Sequence, residues 1–188
     1  FLPHKFVDHS HSNAILSLID QPNPEKICKH VFGDEMGIVP YIMPGFELAK
    51  KASEVFDKNP NVKGLILLNH GIFTFANNAK ESYERMIKYI TKAEKELTKK
   101  SKFIRVSKYV EKKISISEVS NLIRQQIANK RGDDFERKVV HFNKPKFFDE
   151  LFSHPNLKKF TNEGPVTPDH VIRIKSKPLI IDLSKEKS

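Results

Sequence analysis

Two histidines one residue apart are the feature of this sequence best suited to chemistry. They stand in the run Asp8-His9-Ser10-His11. In a β-strand, residues i and i+2 point to the same face, so both imidazoles can present a nitrogen atom to one point. Two neutral imidazoles at that spacing make a bidentate clamp for a metal ion. A closed structural site would need a fourth protein ligand, often cysteine, and this sequence offers none in a suitable motif. An open site of the catalytic type is therefore the better interpretation.

A third histidine, His70, stands further along the chain between Asn69 and Gly71. It follows the apolar run at residues 65–68, and Gly71 has no side chain to keep the backbone away from a ligand. Both histidine groups then lie at the carboxyl ends of predicted strands, the edge at which α/β folds bind ligands. A His-x-His pair alone is more often a polar pair at a strand end. The combination with a strand-terminal His-Gly favours three metal ligands.

Two other classes of His-x-His protein fit less well. A cupin has β structure and a carboxylate just after the pair, whereas here the following run, Ser12-Asn-Ala-Ile-Leu16, is typical of a helix. A metallo-β-lactamase-like hydrolase has Asp-His after the pair, whereas here Asp8 precedes it. Both classes are therefore disfavoured.

The elements that position the histidines alternate between short strands and helices. The run at residues 65–68 is continuously apolar, which is typical of a strand buried on both faces. Apolar residues of the longer segments recur at helical spacing. Extended segments are predicted at residues 5–9, 37–41, 62–68 and 72–75, and helices at residues 12–19, 25–32, 46–56 and 78–97. The alternation predicts an α/β or α+β domain.

The composition changes near residue 100. Residues 101–113 are basic with no clear period, and the segments beyond them are less regular. We predict helices at 117–129 and 145–152, a strand or loop at 135–142, and an edge strand at 171–181 that contains Pro178. The sequence therefore predicts two regions, a metal-binding domain at 1–100 and a C-terminal extension at 101–188.

Composition narrows the function classes. The chain has 188 residues, 38% of them hydrophobic, and one cysteine, Cys28, so an internal disulfide and a Cys-x-x-Cys motif are excluded. This favours a reducing, cytoplasmic setting. A run of about 18 apolar residues, which a membrane-spanning helix needs, does not occur. We therefore expect a protein with no membrane partner.

The net charge of +10 raises nucleic-acid binding as a hypothesis. The lysines, however, alternate with glutamates, as in residues 92–100, and this pattern is typical of a solvated helix face. No RNP, zinc-finger or Arg-rich segment accompanies them. We therefore expect no nucleic-acid partner, and an anionic small molecule remains a mild alternative.

Four segments together resemble the class II aldolase/adducin domain. The most similar branch is the rhamnulose-1-phosphate aldolase-like part of bifunctional aldolase/short-chain dehydrogenase proteins, and residues 164–175 resemble the segment that follows the aldolase domain in that branch. The four segments are Phe6-Val-Asp-His-Ser-His-Ser-Asn-Ala-Ile15, Val39-Pro-Tyr-Ile-Met-Pro-Gly-Phe-Glu-Leu-Ala49, Leu67-Leu-Asn-His-Gly-Ile-Phe-Thr-Phe75 and Ala79-Lys-Glu-Ser-Tyr-Glu-Arg85.

The resemblance implies a three-layer α/β fold, with a central, mainly antiparallel sheet flanked by helices. The chain would hold part of that domain and a C-terminal extension. The family's zinc-binding histidines fall on His9, His11 and His70, which would hold Zn²⁺ or another divalent ion. Such an ion keeps open positions for the hydroxyl and carbonyl oxygens of a sugar phosphate and stabilises the enediolate formed when the carbon–carbon bond breaks. Family analogy also implies a homo-oligomer, specifically a tetramer.

The catalytic base is not assigned. In the family it is a Glu upstream of the His-x-His pair, together with phosphate-binding loops, and here only eight residues precede His9. Because the chain opens on Phe1 rather than Met, we expect it to be part of a longer protein. Glu35 and Tyr41 lie between the histidine motifs and could reach a site, either in this chain or in a neighbouring subunit. We interpret them in preference as a loop carboxylate and a packed tyrosine.

Other interpretations stay open. The chain could be a non-catalytic interaction module, as in the adducin branch, or part of a bifunctional protein whose dehydrogenase half is absent from this sequence. The run Thr167-Pro-Asp-His170 is interpreted as a polar turn fixed by Pro168, in preference to a site role. Arg173 and Lys175 are candidate contacts for an anion.

Overall fold

The computed structural model describes residues 2–100, 115–132, 134–136, 138–143, 151–152 and 154–180. By their contacts, the residues form two compact units. One unit joins Phe1–Phe103 to Glu163–Ser188, and the other is Ile104–Asn162. The division near residue 100 into a metal-binding domain and an extension stays a prediction.

A four-stranded sheet forms the centre of the first unit. Its strands are β1 (Phe6–Ser10), β2 (Met36–Val39), β3 (Gly64–Leu67) and β4 (Gly71–Ala76). They lie in the order β1-β4-β3-β2. The β1–β4 and β3–β4 pairs are antiparallel, and β2 is parallel to β3. The predicted strands and the mainly antiparallel sheet are thus confirmed.

Helices cover both faces of this sheet. Successive side chains of a strand point to opposite faces, so Ile66 packs in a different cluster from its neighbours Leu65 and Leu67. The Ile66 cluster includes side chains of α1, α2 and α4, and the Leu65 cluster includes side chains of α3. The three-layer fold is therefore confirmed. The helices are α1 (Asn13–Ile19), α2 (Pro24–Phe32), α3 (Phe46–Lys58) and α4 (Ala79–Lys100).

The strand β3 is the most deeply buried strand of the sheet. All four of its residues are buried, which matches the continuously apolar run in the sequence. On the α3 side, Leu48, Ala52 and Phe56 are buried at intervals of four residues, as the helical spacing predicts. The core around β3 therefore also holds β4, the strand that His70 directly precedes.

The long helix α4 carries both exposed charged side chains and a buried glutamate. Lys80 and Glu84 form an exposed pair one turn apart, with Nζ 3.7 Å from Oε1, as expected. Glu96 is an exception because its residue is only 8% exposed and its carboxylate faces the Nε2 atom of His30 at 3.6 Å. The predicted solvation is thus wrong at Glu96. Among the described residues, no helix combines the length and the apolar character that crossing a membrane requires.

The second unit contains a two-stranded antiparallel sheet and short helices. The described elements are α5 (Ile116–Ile127), β5 (Asn129–Arg131), β6 (Asp134–Glu136) and α6 (Leu157–Asn162). The helix predicted at 117–129 is confirmed within two residues, and residues 138–143 form no strand. The predicted basic segment 101–113 lies outside the described residues, as does most of the helix predicted at 145–152.

The edge strand predicted at residues 171–181 is wrong. A short helix, α7 (Pro168–Arg173), occupies its start, and residues 174–180 form no strand. Thr167 is extended and caps this helix, because its hydroxyl oxygen accepts a hydrogen bond from the His170 backbone N–H. A proline in the first turn favours a helix start. These local signals outweigh the short alternation of apolar residues that predicted a strand.

Candidate metal centre

The pairing of β1 with β4 brings the histidine motifs together. In the antiparallel register His9 lies opposite Phe73, and Ser10 lies opposite Ile72. The carboxyl end of β1 therefore meets the amino end of β4, where His70 directly precedes the strand. The three residues that the sequence predicted as metal ligands thus gather at one edge of the sheet.

The three imidazole rings surround a common point. Their centroids are 4.6 Å apart for His9 and His11, 5.1 Å for His9 and His70, and 5.0 Å for His11 and His70. One nitrogen atom from each ring lies within 4.8 Å of the other two. Of the described residues, these form the group with the geometry to hold a metal ion.

Hydrogen bonds made by the Nδ1 atoms of His9 and His11 determine which nitrogen of each ring carries the proton. The Nδ1–H group of His9 donates to the Ile72 carbonyl oxygen at 3.0 Å. The Nδ1–H group of His11 donates to Asp169 Oδ2 at 2.9 Å. Neither a carbonyl nor a carboxylate oxygen can donate, so the proton must be on Nδ1 in both rings. When the rings are neutral, each Nε2 atom therefore carries a free lone pair.

These two lone pairs face each other. The Nε2 atoms of His9 and His11 are 2.9 Å apart. Two lone pairs at this distance repel each other unless a proton or a metal ion lies beside them. Desolvation of the His9 ring lowers its pKa and so disfavours the extra proton. A cation shared by the two rings accounts for the arrangement better.

His70 supplies a buried polar atom with nothing to bond. Among the described atoms, its Nδ1 has no hydrogen-bond partner, and an unsatisfied buried group costs about 1–3 kcal/mol. Desolvation, followed by the nearby His9 and His11 rings, lowers the pKa of His70. A neutral imidazole is the form that binds metal, so the chemistry of all three residues fits a divalent ion.

Gly71 allows the two strands to approach at the histidines. A Cβ atom at this position would lie 2.5 Å from the Ser10 carbonyl oxygen and 3.1 Å from the His11 ring. The sequence interpretation gave the glycine a role in approach to a ligand. The structure gives it a more specific one, because the missing side chain lets β4 lie against the end of β1.

A pocket of about 510 Å³ opens beside His70. Its lining is mostly apolar and includes Tyr41. The interpretation of Tyr41 as a packed residue is wrong, because this residue is 55% exposed. Asp20 also lines the pocket and accepts a hydrogen bond from the Asn69 side chain at 3.1 Å. The apolar part of the lining includes Met43, Val166 and Ile172.

Glu35 does not belong to the histidine cluster. Its two carboxylate oxygens accept hydrogen bonds from Lys88 Nζ at 2.8 Å and from Lys92 Nζ at 2.6 Å. These bonds lower the pKa of Glu35 to about 2. The interpretation of Glu35 as a carboxylate without a site role is compatible with this pairing.

Sequence reasoning missed Asp169. The run around Pro168 was interpreted as a polar turn, whereas it begins α7 and places the Asp169 carboxylate against the His11 ring. The sequence signal is the Asp-His dipeptide at residues 169–170, and it does not say which distant residue the aspartate contacts. The anion contacts proposed for Arg173 and Lys175 stay a prediction.

Comparison with protein families identifies the class. Residues 2–97 match the class II aldolase and adducin N-terminal domain, and residues 115–188 match the second domain of class II aldolases. The chain belongs to the class II aldolase/adducin family, as the sequence motifs predicted.

A curated relative covers the chain almost completely. It is an uncharacterized oxidoreductase, YuxG, of Bacillus subtilis (strain 168), which is 27% identical over 205 residues. The match covers 99% of this chain and 27% of the relative. The chain thus spans about a quarter of the length of that protein.

Two solved structures are similar over part of the chain. The N-terminal class II aldolase domain of a conserved protein from Thermoplasma acidophilum is 39% identical, with a TM-score of 0.46, over 51% of this chain and 44% of that one. An aldolase II superfamily protein from Pseudomonas syringae is 13% identical, with a TM-score of 0.40, over 50% of this chain and 38% of that one.

Proposed function

We propose that this chain is the metal-binding part of an enzyme that breaks a carbon–carbon bond in a sugar phosphate or a related hydroxy-carbonyl compound. The metal is a divalent ion, for which Zn²⁺ is our first choice, and its ligands are His9, His11 and His70. The observation that carries the proposal is the convergence of three imidazoles in which two Nε2 lone pairs face each other at 2.9 Å.

The protein residues prepare this site in two ways. Hydrogen bonds from Nδ1 to the Ile72 carbonyl and to Asp169 hold two rings with Nε2 directed inward. Three protein ligands leave further coordination positions open, as in catalytic zinc sites. A bound divalent ion supplies positive charge beside the substrate oxygens on which negative charge develops.

The neighbouring pocket supports a small-molecule substrate. Its volume of about 510 Å³ lies within the range of about 300–1,000 Å³ that is typical of ligand pockets. None of the described residues that line it is Lys or Arg, and Met43, Val166 and Ile172 give it an apolar wall. We therefore propose that the pocket takes the uncharged end of the substrate, while a phosphate group is bound elsewhere.

The decisive experiment measures metal content. The chain is purified without chelator, and zinc and other divalent metals are quantified in wild type and in the His9→Ala/His11→Ala variant. We expect about one ion per wild-type chain, as in a three-histidine site, and almost none in the variant. The control is His30→Ala/His141→Ala, which removes two histidines outside the cluster and should keep the metal. Equal metal content in wild type and the cluster variant would overturn the proposal.

We also propose a homo-oligomer, specifically a tetramer, by analogy with the family. The described surface offers exposed apolar side chains such as Met43 and Phe46, at 73% and 68% exposure. Light scattering on the eluting peak of a sizing column gives the mass in solution. A monomeric mass at working concentrations would contradict this part of the proposal.

A further inference from the structure

The Nδ1 atoms of His9 and His11 are bonded in different ways. His9 donates to a main-chain carbonyl of the adjacent strand, at Ile72. His11 donates to a side-chain carboxylate, Asp169 Oδ2, which lies 158 residues away in the sequence. The first partner is part of the sheet, whereas the second comes from a short helix near the other end of the described chain.

Local structure holds Asp169 in place. It lies in the first turn of α7, which starts at Pro168. Thr167, which precedes the helix, is buried at 6% exposure, and its hydroxyl oxygen accepts a hydrogen bond from the His170 backbone N–H at 3.2 Å. The buried threonine fixes the start of the helix, and so fixes the backbone from which the Asp169 carboxylate reaches His11.

The carboxylate has a specific effect on the ring it meets. As an acceptor it keeps the proton of His11 on Nδ1, and it limits rotation of the ring. Carboxylates that accept from the outer nitrogen of a ligating histidine orient the ring and increase its basicity, and their loss weakens metal binding about 10–100-fold.

We propose that Asp169 is a positioning residue of the metal centre, which holds His11 with Nε2 turned toward the ion. This inference rests on the proposed function, because it assigns a role toward the ion that the three histidines would bind. It extends the centre beyond the sheet, since Asp169 belongs to the second-domain match and His11 to the first-domain match.

Zinc affinity is the first test, made on the whole chain. Metal-free protein is titrated with Zn²⁺ in competition with a chromophoric chelator, for wild type, Asp169→Ala and Asp169→Asn. We expect Asp169→Ala to bind Zn²⁺ about 10–100-fold more weakly. The Asn side chain still accepts from Nδ1–H but carries no charge, so its affinity should lie between the other two.

The matched control is Asp34→Ala, which removes an exposed aspartate that pairs with Lys29, away from the histidines. We expect it to bind Zn²⁺ as tightly as wild type. If Asp169→Ala also binds as tightly as wild type, the role of Asp169 is overturned while the metal site stands. If wild type itself fails to bind, the proposed function and the role of Asp169 fall together.

A second readout separates positioning from general stability. Long-range proton–nitrogen NMR of metal-free protein at about pH 8, where histidine is neutral, reports which ring nitrogen carries the proton. In wild type we expect Nδ1–H on both His9 and His11. In Asp169→Ala we expect His11 to gain the Nε2–H form while His9 does not change. An unchanged His11 in folded Asp169→Ala would overturn the proposal, and Asp169→Asn gives the zinc comparison if Asp169→Ala does not fold.

Discussion

Residues 2–100 and residues 115–180 differ sharply in burial. The first region holds two clusters of apolar side chains, several of them fully buried, such as Leu65, Ile66 and Phe75. Among the described residues of the second region, Thr167 alone is buried, and apolar side chains such as Ile172 are exposed. The difference teaches that the first region supplies both the apolar core and the three histidines. The second region adds the Asp169 carboxylate and part of the pocket lining from residues that are mostly exposed.

The strongest test of this comparison is a pair of truncations, one in each region. Phe75 is fully buried, with its ring centroid 4.5 Å from that of His4 and 5.4 Å from that of Phe56. We expect Phe75→Ala to lower the free energy of unfolding by about 3–5 kcal/mol, because it leaves a cavity. Ile172→Ala, at a residue 80% exposed, should change it by about 0.5 kcal/mol or less. Urea unfolding followed by circular dichroism measures both, and equal losses would contradict the comparison.

A smaller loss of unfolding free energy is expected at Gly71, where β4 begins beside the histidines. Gly71→Ala places a methyl group 2.5 Å from the Ser10 carbonyl oxygen and close to the His11 ring. Overpacking of this kind costs about 1–3 kcal/mol. Because the added group separates β1 from β4 at the histidines, zinc binding should weaken as well.

Gly132→Ala is the control for that variant. Its added Cβ would meet no atom within 4 Å, but its φ of +62° makes alanine unfavourable there. We expect a loss of unfolding free energy without any change in zinc affinity. Retention of wild-type zinc affinity by Gly71→Ala would show that the histidines tolerate movement of the strands.

The smallest change in unfolding free energy is expected when the surface charge of Glu35 is removed. Hydrogen bonds from Lys88 and Lys92 lower the pKa of Glu35 to about 2 from an ordinary value of 4.5. Its side chain is 41% exposed, so Glu35→Gln should cost less than about 1 kcal/mol at neutral pH.

The pH dependence of this cost follows from the direction of the shift. A lowered pKa in the folded state stabilises the fold above the ordinary value, and the stabilisation is lost as the pH falls from 4.5 through about 2. Unfolding curves of wild type and Glu35→Gln should therefore converge on acidification. A difference that grows in acid would show that the ion pair is not its cause.

Much of the sheet and the histidine cluster could be predicted because their signals are local. The strand period alone places His9 and His11 on one face. The apolar run at residues 65–68 is sufficient to identify a central strand, and it leads directly to His70. The pairing of β1 with β4 then brings the two motifs together, and that pairing comes from the structure, because no local sequence signal predicts it.

The contacts that sequence reasoning missed are distant ones. The partner of Asp169 lies 158 residues away, and no periodicity in either segment encodes that pairing. The burial of Glu96 depends in the same way on α4 packing near His30. At residues 171–181 a short alternation of apolar residues predicted a strand, but the cap at Thr167 starts a helix there. The choice between strand and helix depends on hydrogen bonds, which the alternation does not show.

The β1–β4 pairing also makes the histidine cluster a measure of strand alignment. His9 lies opposite Phe73 in the observed register. A slip of one residue would turn the side chains of β1 to the other face of the sheet, so that Asp8 or Ser10 would take the place of the His9 imidazole. Misaligned chains would thus lack the three-nitrogen cluster, and a metal that binds it would select correctly paired molecules from a folding population.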